Sequence, residues 1–124
     1  MPRILVVDDT DDIREVIAKL LQRKGFDVTT AAGGKQGVVQ AASDQPDLIL
    51  MDLNMPDMDG WQATRTIREE GITTPVIALT AHLMTNEHVR AMESGFNGYQ
   101  TKPLELDTLL ALIKELLSKP KAAE

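Results

Sequence analysis

The sequence predicts an α/β fold, a doubly wound five-stranded parallel sheet in the order 2-1-3-4-5 with five helices, and three observations predict it. Short apolar runs without polar alternation recur along the chain, helical patterns separate them, and most of those patterns stop at a glycine. Continuous apolar runs suit strands covered on both faces, and strands that alternate with helices form parallel sheets joined by right-handed crossovers.

Ile4-Leu5-Val6-Val7 reads as the first strand, Leu48-Ile49-Leu50-Met51 as the third and Val76-Ile77-Ala78-Leu79 as the fourth. The second strand is weaker, around Val28-Thr29-Thr30, and Gly98 to Thr101 is a short fifth. In the first helix Ile13, Val16, Ile17, Leu20 and Leu21 follow the spacing i, i+3, i+4, i+7, i+8, with Asp11 or Asp12 as N-cap and Gly25 as the stop. Further helices are expected over 34–43, over 59–70 before Gly71, and over 86–94 before Gly95. The last begins just after Pro103, with Leu106, Leu109, Leu110, Ile113 and Leu117 as its apolar stripe.

With 124 residues and 43% hydrophobic content the chain can bury one core, so a single domain over 1–118 is expected, followed by a short disordered tail over 119–124. There is no cysteine, which removes thiolate ligands and nucleophiles and leaves oxygen and nitrogen chemistry. No apolar run is long enough to span a bilayer and no signal-peptide pattern opens the chain, so a cytoplasmic protein without a membrane partner is expected. The net charge is −6 and the 13 basic residues are scattered, which argues against direct nucleic-acid binding.

The acidic residues, in contrast, bunch from Asp8 to Asp12 and from Asp52 to Asp59. Open parallel sheets bind ligands beyond the carboxyl ends of their strands, where strand order reverses, here between the first and third strands. Asp8 and Asp9 follow the first strand, Asp52 the third, Thr80 the fourth and Lys102 the fifth. Carboxylates gathered there repel, at 4 Å by roughly 1 kcal/mol per pair in water and about 4 at a protein surface, so a cation is required. Mg²⁺, or Mn²⁺, suits such oxygens, and with Lys102 it would neutralise a transferring phosphoryl group. A carboxylate can itself be the nucleophile, and Asp52 is the candidate because Asp8 and Asp9 are better placed to share the metal.

Each of these residues also has a plainer reading. Asp8 and Asp9 can cap a helix, Thr80 a turn, Lys102 can be an exposed charge and Tyr99 a packing residue. Met51, Met55 and Met58 read as gap-fillers, and His82 and His88, without a ligand cluster, as surface groups. Gly33-Gly34-Lys35 lacks the spacing of a Walker A loop, and Pro56 and Ala63 break the EF-hand pattern that begins at Asp52.

Together these residues resemble the receiver domain of bacterial two-component response regulators, over essentially the whole chain from Arg3 to Ser118. The matching pieces are Val6-Val7-Asp8-Asp9, Leu50 through Gly60 with Asp52 and Met55-Pro56, Ile77-Ala78-Leu79-Thr80-Ala81, and Gly98-Tyr99 leading to Lys102-Pro103. The resemblance implies a flavodoxin-like, CheY-like fold in which Asp52 is the phosphoacceptor. It implies further that Asp9 and, partly through water, Asp8 hold Mg²⁺ with Asp52 and the backbone carbonyl of Asn54. Lys102 then pairs with the phosphoryl group, Thr80 is the switch hydroxyl and Tyr99 the aromatic that moves with it. The stretch from Thr80-Ala81-His82 to Gly98-Tyr99 is most similar to receivers of hybrid kinases and single-domain phosphorelay regulators.

The function expected is a phosphorylation-dependent switch of a two-component or phosphorelay system, not a conventional enzyme. Asp52 takes a phosphoryl group from a histidine kinase or histidine phosphotransfer protein, and the protein later hydrolyses its own acyl phosphate. The readout is a downstream protein bound on the surface formed by the fourth predicted helix, the fifth strand and the last helix. The alternative is a phosphorylation-independent interaction module with a relic acidic pocket.

Overall fold

In a computed structural model of the chain, residues 2–53, 55–80, 95–101 and 105–118 are described. The elements are β1 (Arg3–Val7), α1 (Asp11–Arg23), β2 (Asp27–Ala31), α2 (Gly34–Ser43), β3 (Leu48–Asp52), α3 (Gly60–Glu69), β4 (Val76–Thr80), β5 (Gly98–Thr101) and α4 (Leu106–Ser118). The five strands form one parallel sheet in the order β2-β1-β3-β4-β5, as the apolar runs predicted. Four helices lie among the described residues; the helix expected over 86–94 falls outside them, as do the tail over 119–124, His82, His88, Asn54 and Lys102.

Alternate residues of each central strand enter two separate cores. Leu5, Val7, Ile49, Met51, Val76 and Ala78 pack with Val38 and Ala41 of α2 and Ala63 and Ile67 of α3. Ile4, Val6, Leu48, Leu50, Ile77 and Leu79 pack with Ile17 and Leu21 of α1 and Leu109, Ile113 and Leu116 of α4. Helices thus cover both faces, which is why β1, β3 and β4 read as unbroken apolar runs.

Three local expectations need correction. Neither Asp11 nor Asp12 is the N-cap of α1: the N-cap is Thr10, no side chain caps there, and both aspartates lie in the first turn, where their charge suits the helix dipole. Ile13 and Val16 do not join the core, remaining 38% and 56% exposed, because the face of α1 turned to the sheet is the one that carries Ile17, Ala18 and Leu21. The last helix starts at Leu106, and its buried stripe includes Leu116, while Leu106, Leu110 and Leu117 are partly covered. Gly25 and Gly71 end their helices with φ of +96° and +84°, the left-handed conformation that suits glycine.

Candidate functional site

Strand register delivers the acids to one rim. Val7 is the partner of Met51 across β1 and β3, so Asp8 emerges beside Asp52, and the Asp8 N–H is anchored on the Ala31 carbonyl of β2 at 3.1 Å. Carboxylate oxygens of Asp8, Asp9 and Asp52 all lie within 4.8 Å of one another. Asp8 is 0% and Asp52 3% exposed, whereas Asp9 opens toward solvent. Asp8 does not cap α1, but its Oδ1 accepts the Thr10 N–H at 2.8 Å in a local turn that leads into the helix.

Next along the sheet, Asp52 pairs with Leu79, and the Leu53 N–H donates to the Leu79 carbonyl at 3.0 Å, which brings Thr80 to the same rim. Thr80 ends β4 and is buried at 4% exposure. Its register partner is Thr101 and that of Ala78 is Tyr99, so by strand alternation Thr80 and Tyr99 fall on one face of the sheet. Tyr99 is partly buried against the core on the α2 and α3 side. Asn54 and Lys102, expected in the same site, lie outside the described residues.

Three contributors went unassigned in the sequence. Arg14 on α1 donates from Nη1 to the Asp8 carbonyl at 2.8 Å and from Nη2 to Asp11 Oδ1, so a guanidinium braces the acidic rim from behind. Only its helical spacing from Asp11 was visible beforehand. Gly60 opens α3 so close to the phosphoacceptor candidate that a Cβ would stand 2.4 Å from the Asp52 carbonyl oxygen, a contact no side chain allows. The third is Asp57, whose carboxylate reaches α2: Oδ1 accepts the Gly34 N–H and Oδ2 the Lys35 N–H, each at 3.2 Å. Asp59 caps α3 by accepting the Gln62 N–H at 2.8 Å, so the helix expected from Asp59 has its cap there.

Two buried carboxylates and an open third, all hard oxygen donors within one ion's reach, fit a divalent cation with room for water and for one further anionic ligand. A doubly wound sheet with such a rim at its switch point is an α/β domain with its candidate ligand site at the strand ends. A family model described as the response regulator receiver domain matches residues 4–114, and the chain belongs to that family. The chain is therefore a receiver domain of two-component signalling, a module for phosphorylation-dependent regulation.

Among curated proteins it is 37% identical over 119 residues to "Response regulator MprA" of Mycobacterium avium, covering 96% of this chain and 52% of that protein. The same figures hold for the Mycobacterium tuberculosis protein of that name, so the chain spans about half the length of these relatives. Among solved structures, the chemotaxis protein CheY4 of Vibrio cholerae superposes with a TM-score of 0.89 at 30% identity, over 94% of this chain and 98% of that one. The receiver domain of a sensor histidine kinase from Pseudomonas aeruginosa, with a magnesium ion coordinated in its active-site cleft, gives 0.86 at 35% identity over 95% and 98%. Among the described residues no helix is long and apolar enough to cross a membrane.

Proposed function

We propose that this receiver accepts a phosphoryl group on Asp52 from a phosphohistidine of a histidine kinase or phosphotransfer protein, with Mg²⁺ held by Asp8, Asp9, Asp52 and the Asn54 carbonyl. The observation that carries the reading is the gathering of three carboxylates within 4.8 Å, two of them buried, at the end of β1 and β3. When bound, the cation offsets the repulsion among these carboxylates and the charge on the incoming phosphoryl group.

The protein's own groups do the rest. A carboxylate oxygen of Asp52 forms the new O–P bond as the P–N bond to the donor imidazole breaks and the imidazole leaves. Lys102 supplies a fixed positive charge to the phosphoryl oxygens, and the Thr80 hydroxyl turns to donate to one of them. Tyr99, on the same face as Thr80, follows that movement and alters the surface formed by the segment before Gly95, β5 and α4, where a downstream protein docks. Attack of water on phosphorus then restores the Asp52 carboxylate and releases inorganic phosphate.

Incubation with Mg²⁺ and a small acyl phosphate tests this reading by intact-protein mass spectrometry. The expected result is a labile adduct of one phosphoryl mass that Asp52→Ala abolishes. Absence of the adduct in the wild type, or its survival in the variant, sinks the proposal in favour of a phosphorylation-independent interaction module.

A further inference from the structure

The β3–α3 loop leaves the acidic rim directly at Asp52 and is tied down by two unlike devices. Near α3 the ties are local: Gly60 N–H donates to the Leu53 carbonyl at 3.1 Å and Asp59 caps its own helix. The Asp57 tie is different, because it crosses 22 and 23 residues of sequence to the first N–H groups of α2. Those groups have no acceptor within their own helix, and the N-cap residue Gly33 has no side chain to offer one.

The approach is built into both partners. A Cβ on Gly33 would stand 2.8 Å from Asp57 Oδ2, and one on Gly34 would stand 2.2 Å from the Met58 carbonyl oxygen. Gly33 has φ −168° and ψ 171°, extended backbone open to any residue, so the room for Asp57 and not backbone freedom accounts for a glycine there. The Lys35 N–H, with help from that of Gly34, also holds the Asp57 carboxyl below the ordinary carboxylate range. An acid that looks like one more member of the Asp52 to Asp59 cluster is turned away from the cation site and spent on a neighbouring helix.

We infer that Asp57 is a positioning residue for the cation site: by clamping the β3–α3 loop to the start of α2 it presets that loop for metal binding without being a ligand. The inference rests on the cation reading given above. A cap placed within α2 itself satisfies the same N–H groups without holding the loop, and that separates positioning from mere helix stability.

The experiment compares the wild type, Asp57→Ala, and the double variant Gly33→Asp/Asp57→Ala, in which the carboxylate is moved onto the α2 N-cap into the space Asp57 vacates. Net charge and helix cap are thereby kept while the link to the loop is cut. Mg²⁺ affinity is measured by isothermal titration calorimetry, and thermal stability in EDTA is followed by circular dichroism. Loss of a residue that orients metal ligands typically weakens binding about 10-fold or more, and a loss of that order is expected in both variants. The melting temperature falls in Asp57→Ala and recovers in the double variant, which also remains folded if the single variant does not. Mg²⁺ affinity within about twofold of wild type in the double variant overturns the inference. No Mg²⁺ binding by the wild type instead overturns the functional reading itself, and this inference with it.

Discussion

At the carboxyl rim of the sheet three carboxylates crowd within 4.8 Å, while at the amino rim two arginines are matched to acceptors. Arg68, near the end of α3, donates to the carbonyls of Gly95, Ile72 and Thr74 and to Asn97 Oδ1 through five hydrogen bonds of 2.8–3.1 Å. Asn97 Oδ1 in turn accepts the Val76 N–H at 2.9 Å, so one guanidinium joins α3, the start of β4 and the approach to β5. Arg3 plays a like part for the starts of β1, β2 and β3, with its N–H on Asp47, Nε on Asp27 and Nη1 on the Asp44 carbonyl. The contrast separates stability from function. At the amino rim matched donors and acceptors staple the sheet, whereas at the carboxyl rim like charges are gathered and, on the reading proposed above, a cation would offset their repulsion.

The largest effect that would break this contrast lies at the amino rim. Arg68→Met keeps much of the apolar stem but leaves partly buried carbonyls without a donor, and about 3 kcal/mol of stability should be lost, measured by urea unfolding. Mg²⁺ affinity should stay within twofold of wild type, because the staple is at the opposite end of the strands. A loss below 1 kcal/mol would show the network to be dispensable.

At the carboxyl rim the sign reverses. Asp8→Asn removes one of the mutually repelling charges while its side-chain oxygen can still accept the Thr10 N–H. In EDTA this variant should be more stable than wild type by about 1 kcal/mol, yet gain less from added Mg²⁺. Destabilisation in EDTA would mean that the acids there are not under repulsion.

The smallest effect concerns acid. The Asp57 carboxyl is held below its ordinary value of 3.8, chiefly by the Lys35 N–H, so its contribution is present above that pH and is lost as pH falls through the lowered folded value. Asp57→Ala should therefore destabilise at pH 7 and converge with wild type at more acid pH. A difference that does not narrow on acidification refutes the hydrogen-bonded tie.

Much of this was legible beforehand for a simple reason. Burial on both faces erases polar alternation, so β1, β3 and β4 announced themselves, and the residues just after such strands must lie at one rim. Asp8, Asp9, Asp52 and Thr80 were found that way, and the structure does bring them to that rim. The capping of α1 was misread because acids stand on both sides of its start, whereas the path of the chain out of β1 puts Thr10 at the N-cap and no side chain caps there. Gly33 read only as part of a failed nucleotide-binding pattern, and the long-range partner that makes a glycine necessary there has no local signature.

The order of apolar runs, helical spacings and strand-end acids determined by itself the doubly wound sheet and the rim at which its acids gather, since both follow from periodicity and from side chains that water or a core must take. What tertiary structure alone decided is which groups meet across long separations: Arg3 with the Asp44 carbonyl, Arg68 with Gly95 and Asn97, Asp57 with α2. These are hydrogen bonds of fixed length and direction, and no pattern of polarity along a chain encodes them.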